Sequence, residues 1–244
     1  MLTDSEKQHL DEQGYLILEN VISVDEADTM RNLALELAQD DIKAGRDYSH
    51  IENARRVWNL VNKHEVFEQA IQHPRIIEAQ QYLLGEDLVL SSFTANIIGP
   101  GTPAGNLHID FPLGNLPTPR PSFPLSANSV WFLDDFYPKN GSTRCVPGSH
   151  KRLDTMPKRD QTYPDEIQVK GPKGSVMILN GATWHGSGAN QTDRERVGLL
   201  GFYNRSILKT QQDQMRLATK KVLNRATPLL RQLLGFNARP TTRV

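Results

Sequence analysis

What this chain of 244 residues lacks bounds what it can do. Cysteine occurs once, at Cys145. A single thiol excludes an intrachain disulfide framework, leaves a cysteine-built structural zinc site without its ligands, and suits a reducing cytoplasm. Net charge is absent, because 28 Lys and Arg balance 28 Asp and Glu. That balance gives no support for nucleic acid or an anionic membrane as partner. No apolar run approaches the length that spans a bilayer, and Met1 to Gln13 is too polar for the core of a signal peptide. Internal repeats, low-complexity tracts and a Gly/Ser-rich linker are all missing. The expectation is a cytoplasmic globular protein, one domain over 1–244, monomer or homodimer, acting on a small molecule.

What is present falls into three parts. Residues 1–86 read as helical support. Thr3-x-x-Glu6 and Ser23-x-x-Glu26 are capping boxes opening helices to Gln13 and to about Ala44, with Gly14 and Gly45 as stops. Tyr15 to Leu18 is a short apolar strand candidate. Arg55 to Leu60 reads as loop or short strand. A further helical stretch from about Val66 to Leu84 is interrupted at Pro74. Residues 87–206 change texture. Leu88–Ile98, Ser129–Phe136, Arg144–Val146, Glu166–Val169, Ser175–Leu179 and Val197–Tyr203 are short strand candidates between turn signals, a spacing that suggests a β-sandwich or barrel. Pro112 to Pro124 carries five prolines and reads as a long loop. Residues 207–244 are a helical tail, helical from Gln211 and polar after Gly235.

Chemistry concentrates at His108-Ile109-Asp110. In an extended segment side chains alternate, so His108 and Asp110 share a face and reach one cation while Ile109 points into packing. Alone, His-x-Asp is a weak signal. A second segment, Trp184-His185-Gly186-Ser187-Gly188, with Arg196 beyond it, changes its weight. Two imidazoles and one carboxylate on one side of a metal leave the opposite positions open, the arrangement of non-haem Fe(II) oxygenases. The bland alternative for His185 is a turn histidine bonded to backbone; for Arg196 it is a surface charge.

The series His108-x-Asp110, Asn140-Gly141-Ser142-Thr143, Pro147-Gly148-Ser149-His150-Lys151 and His185-Gly186-Ser187-Gly188 with Arg196 resembles the phytanoyl-CoA dioxygenase family, from about residue 10 to about residue 236. The resemblance implies a double-stranded β-helix core of jelly-roll type, with the N-terminal helices packed on one sheet. It implies an Fe(II)- and 2-oxoglutarate-dependent dioxygenase that uses O2 and hydroxylates an unactivated C–H bond, releasing succinate and CO2. On the matching positions, His108, Asp110 and His185 are expected to hold iron. Arg196 is expected to anchor the distal carboxylate of 2-oxoglutarate through its planar fork, with Arg194 as rival. Ser187, Thr143 and Asn96 are expected to assist. Many relatives place a Trp where this chain has Val130, and the adjacent Trp131 is expected in the core. Asp134 and Asp135 read as structural or rim residues and His150 as a turn residue. Asp110 argues against halogenation, because halogenating relatives carry a small residue there. For the substrate the candidates are Arg55, Trp58, Phe111 and Arg120; Arg55, Arg56 and Arg120 are either partners for a substrate carboxylate or ordinary solvated charges. Two other readings stay open: a metal-dependent hydrolase on the same three ligands, and a non-catalytic β-barrel binding protein.

Overall fold

The structure is a computed structural model that describes residues 1–46, 51–110 and 112–237. Helix α1 (Asp4–Gln13) begins where its capping box predicts: the Thr3 hydroxyl accepts from the Glu6 amide at 3.2 Å, and the Glu6 carboxylate accepts from the Thr3 amide at 2.7 Å. Strand β1 (Tyr15–Leu18) follows, then α2 (Val24–Lys43), opened by the same reciprocal pair at Ser23 and Glu26. Next come β2 (Ala54–Val57), α3 (Glu65–Ala70) and α4 (Pro74–Leu84). Pro74 occupies the first turn of α4, where its missing N–H is not needed, so the break predicted at Pro74 separates two helices.

The β-rich part contains β3 (Val89–Ile98), β4 (Ser126–Phe132), β5 (Thr143–Cys145), β6 (Ile167–Gln168), β7 (Val176–Asn180), β8 (His185–Ser187) and β9 (Arg196–Asn204). Three short helices close the described chain, α5 (Gln214–Leu217), α6 (Lys220–Arg225) and α7 (Pro228–Leu233). The strands form a six-stranded antiparallel sheet ordered β1-β7-β4-β9-β3-β2 and a three-stranded sheet ordered β6-β5-β8. This is the expected jelly-roll architecture, mainly β with flanking helices.

Period-two alternation divides the large sheet. Trp131, Ile178, Leu199 and Tyr203 join the helices in one core cluster that also takes in Val222 and Leu230 of the C-terminal helices. Trp131 is fully buried there and its indole N–H donates to Ser129, as expected for a core residue. The residues between them, Val130 and Phe132 of β4 and Met177 and Leu179 of β7, face inward and join a second cluster. Both faces of the sheet are covered, which is why its strands read as apolar runs without clean polar alternation.

Three expectations need correction. The strand expected over 129–136 lies at Ser126–Phe132. Its polar start looks like a turn, yet Ser126 and Asn128 pair with Asn204 and Phe202 of β9. Its far end stops early because the Asp134 carboxylate replaces the ladder, accepting from the Val197 amide at 2.8 Å and from Arg31 Nε at 2.8 Å. The Asp134 and Asp135 side chains are structural, as expected; Asp135 accepts from the Lys173 amide. Strand β8 was not expected, because Gly186 and Gly188 read as a turn. The extended stretch expected over Leu107 to Phe111 contributes only a single bridge, at His108, and Phe111 lies outside the described residues.

Gly14 couples α1 to the loop that precedes β8. Its φ is 78°, and a Cβ placed there would stand 2.3 Å from Thr183 Oγ1 and 2.4 Å from His150 Nδ1. Gly14→Ala is expected to lower stability by about 1–3 kcal/mol, read as a lower urea midpoint with an unchanged slope; an unshifted midpoint would contradict this packing. His150 itself is held below its ordinary value by burial, with Nε2 bonded to the Asp11 carbonyl. The unfolded chain therefore binds the proton more readily, so stability is lost as pH falls below the ordinary histidine value. In His150→Gln, stability is expected to depend less steeply on pH between about 7 and 5 than in the parent; equal slopes would refute the assignment.

Candidate metal and cosubstrate site

His108 and His185 meet through the backbone. The His108 amide donates to the His185 carbonyl at 2.9 Å, and the His185 amide donates to the His108 carbonyl at 3.0 Å. The two residues stand directly opposite one another with side chains on one face, and their ring centroids are 4.4 Å apart. Gly186 permits this approach: a Cβ on it would lie 2.8 Å from the Asn106 carbonyl oxygen. Asp110 arrives from the same loop, its amide donating to the Gly181 carbonyl at 3.0 Å. The candidate ligand atoms of His108, Asp110 and His185 all lie within 4.8 Å of one another. His185 Nε2 and Asp110 Oδ1 are 3.6 Å apart.

Each imidazole is oriented for ligation. His185 Nδ1 faces the Thr183 carbonyl at 2.8 Å, and His108 Nδ1 faces the Asn106 carbonyl at 3.2 Å. A carbonyl only accepts, so each Nδ1 carries the proton and each Nε2 presents a lone pair. Burial holds both imidazoles below the ordinary value, and at His108 the neighbouring His185 adds to this. A lowered value keeps them neutral, the form that binds a cation. Burial pushes the Asp110 carboxyl up to about 6, against the stabilising influence of His108 and a hydrogen bond from Asn128 Nδ2 at 2.6 Å. A carboxylate so desolvated gains from a divalent ion beside it. Three ligands on one side fit iron with open positions; among the described residues no fourth His, Cys, Asp or Glu joins them, so a closed structural zinc site does not fit.

The triad lines a cavity of about 540 Å³. Arg196, at the start of β9, lines the same cavity and is 3% exposed. One of its terminal nitrogens donates to the Gly141 carbonyl at 2.5 Å, its guanidinium lies 4.4 Å from the centre of the Phe136 ring, and its Nε has no partner. Burial pushes it down to about 10. Among the described residues no carboxylate stands within ion-pair distance of it; Asp134, the nearby acid, is taken by Arg31 and the Val197 amide. A buried guanidinium with an orphaned N–H fits a carboxylate arriving with a ligand. Arg194, the rival, is exposed on the turn before β9. Thr143 and Ser187 are register partners on β5 and β8, and both line the cavity, as do Asn96 and Trp58. Val130 lines it too.

Two substrate candidates do not line this cavity. Arg55 points away from it and is ion-paired with Glu195. Arg120 is buried, donates to the carbonyls of Arg152 and Thr155, and borders a separate small void. Glu195 pairs with the Arg55 charge and backbone carbonyls hold the Arg120 guanidinium, which removes the reason for assigning them to a substrate. Phe111 is outside the described residues. His150 is in a short helical turn, remote from the triad in its contacts, as expected. Sequence reasoning missed Asn128, Gln211 and the Gly141 carbonyl. Asn128 carries a readable signal, a polar residue within an apolar strand, but it precedes the strand expected from Ser129.

The family profile "Phytanoyl-CoA dioxygenase (PhyH)" matches residues 10–198. Dioxygenase af480 of Aspergillus fumigatus is 26% identical over 236 residues, covering 94% of this chain and 75% of that protein. The Fe(II)/2-oxoglutarate-dependent dioxygenase nvfF of Aspergillus novofumigatus is 30% identical over 192 residues, covering 75% of this chain and 62% of that protein. Among solved structures, HygX from Streptomyces hygroscopicus, crystallised with nickel and 2-oxoglutarate bound, superposes with a TM-score of 0.69 at 18% identity, over 86% of this chain and 90% of that one. That likeness is one of fold.

Asn128→Ala removes the hydrogen bond that orients Asp110 and touches no candidate ligand atom of the histidines. Its Mn(II) affinity is expected to fall about 10- to 100-fold by calorimetric titration. An unchanged affinity would show that the carboxylate is aimed by something else.

Proposed function

Because the chain belongs to the phytanoyl-CoA dioxygenase family and is an Fe(II)- and 2-oxoglutarate-dependent dioxygenase, we propose that His108, Asp110 and His185 hold its iron and that it hydroxylates an unactivated C–H bond of a small metabolite. The observation that carries the assignment is the convergence, on one cavity, of two Nε2 lone pairs, one desolvated carboxylate and one buried guanidinium that lacks an anion. Bound there with 2-oxoglutarate and O2, iron supplies an oxidant able to break a C–H bond, and the cosubstrate leaves as succinate and CO2.

The chain's own residues provide orientation and electrostatics. The carbonyls of Thr183 and Asn106 hold the imidazoles in their binding tautomer. Asn128 occupies the second Asp110 oxygen, which would leave the first, on the His185 side, free to hold the metal. Arg196 receives the distal carboxylate of 2-oxoglutarate, and the Thr143 and Ser187 hydroxyls and the Asn96 amide stand along the same wall to assist. Phe136 beneath the guanidinium fixes its plane and keeps water from one face. Retention of the Asp110 carboxylate supports hydroxylation over halogenation.

A hydrolase on the same three ligands needs a general base near the metal-bound water. The charged residues lining the cavity are Arg56, Asp110 and Arg196, so among the described residues none is spare for that role. No helix among the described residues is long and apolar enough to cross a membrane. The single buried thiol supports a cytoplasmic location, and the core shared by helices and sheet supports one domain, which we take to act as a monomer or homodimer.

Iron-loaded protein supplied with 2-oxoglutarate and a metabolite mixture is expected to release succinate faster than without the mixture. His108→Ala should abolish that release, and Arg196→Gln should weaken 2-oxoglutarate binding by about 10- to 100-fold, the worth of a charge-assisted pair. Succinate release undiminished in His108→Ala, or zinc at full occupancy in protein that ignores 2-oxoglutarate, would reject the assignment.

A further inference from the structure

A second guanidinium lines the cavity besides Arg196. Arg56, on edge strand β2, lines the same cavity as the triad. It lies 4.9 Å over the ring of Trp58, and its Nε and one terminal nitrogen are each 3.3 Å from Thr94 Oγ1. Among the described residues it has no ion-pair partner. The carboxylate whose charge reaches it is Asp110, and in the reading above that group belongs to iron. Arg56 pairs with Asn96, which faces Gly198, two residues along β9 from Arg196, and its guanidinium leans further away, to Thr94 opposite Leu200. Strand β3 also separates β2 from β9.

The charge balance of the filled cavity points the same way. Its charged lining is Arg56, Asp110 and Arg196. A divalent iron and two guanidiniums, set against one carboxylate and the dianion of 2-oxoglutarate, leave one positive charge unmatched. The group that accepts from Arg56 is the uncharged Thr94 hydroxyl. Gln211 accepts from the Ser92 hydroxyl at 2.7 Å, which turns its amide nitrogen to other partners, while Leu200, Phe202 and Val130 offer an apolar wall. Trp58 also lines a neighbouring cleft with Asp41, Arg46, Asn59 and Lys63. With Nε and one terminal nitrogen on Thr94, the remaining terminal N–H groups of Arg56 are left for an anion.

Resting on the dioxygenase reading, we propose that Arg56, stacked on Trp58, is the anchor for a carboxylate of the primary substrate, and that the enzyme therefore acts on small monoanionic molecules with an apolar body. Arg196 takes the anion of the cosubstrate and Arg56 the anion of the molecule to be oxidised.

The test uses the full chain loaded with Mn(II) and 2-oxoglutarate under nitrogen, where binding is read without turnover. Calorimetry compares a panel of aryl and alkyl monocarboxylates, each beside its own primary amide. Wild type is expected to hold the acids about tenfold or more tighter than their amides. Arg56→Gln should erase that preference and leave 2-oxoglutarate affinity unchanged, and Arg56→Lys, which keeps the charge, should retain part of it. The proposal is overturned if no acid outcompetes its amide on wild type, if the preference survives Arg56→Gln, or if that substitution instead costs 2-oxoglutarate affinity. Wild type that binds neither Mn(II) nor 2-oxoglutarate refutes the dioxygenase site; wild type that binds both without preferring acids refutes only the carboxylate anchor.

Discussion

Two backbone hydrogen bonds between His108 and His185 are the constraint on which the rest depends. They join a loop after β3 to strand β8, and so bring residues distant in the chain onto one face. Side chains alone do not guarantee such a meeting, because each imidazole has torsional freedom. The antiparallel bridge removes most of it, and the carbonyls of Thr183 and Asn106 remove the rest. The supports run outward from there. The Thr183 hydroxyl donates to the Gly14 carbonyl, and Gly14 lies at the corner between α1 and β1. The C-terminal cap of the first helix therefore touches the residue whose carbonyl orients a candidate metal ligand.

Electrostatics explain why such a site persists although it opposes stability when empty. Asp110 and Arg196 are both desolvated, and neither has an opposite charge bonded to it among the described residues. Buried charges of this kind cost free energy until partners arrive. A divalent ion relieves the first and a dicarboxylate relieves the second. The binding energy of metal and cosubstrate thus includes the release of strain already stored in the fold, and ligand binding stabilises the native state accordingly. Phe136, beneath the Arg196 guanidinium, and the Gly141 carbonyl, at its edge, explain why the Asn140-Gly141 turn sits where it does.

Much of this was legible in the residues, and the failures have physical reasons. Helix starts were readable because capping boxes are local: Thr3 with Glu6, Ser23 with Glu26. The break at Pro74 was readable because proline lacks a donor. The family resemblance pointed to His108, Asp110, His185 and Arg196, and these four line one cavity. The limits of β4 were not readable, since Asp134 ends it with a side chain reaching β9, a contact no local pattern encodes. Strand β8 was hidden because its glycines, read as turn formers, are there to let backbones approach. Arg55 and Arg56 are adjacent and chemically identical in sequence. Only the pleat of β2 decides that one pairs with Glu195 and the other enters the cavity.

The most direct test of the central claim is the position of the metal. Crystals of the iron-loaded protein, measured at the iron absorption edge, should show one anomalous peak bonded to Nε2 of His108, Nε2 of His185 and a carboxylate oxygen of Asp110. An iron peak elsewhere, or ligation through Nδ1 of either histidine, would contradict the account.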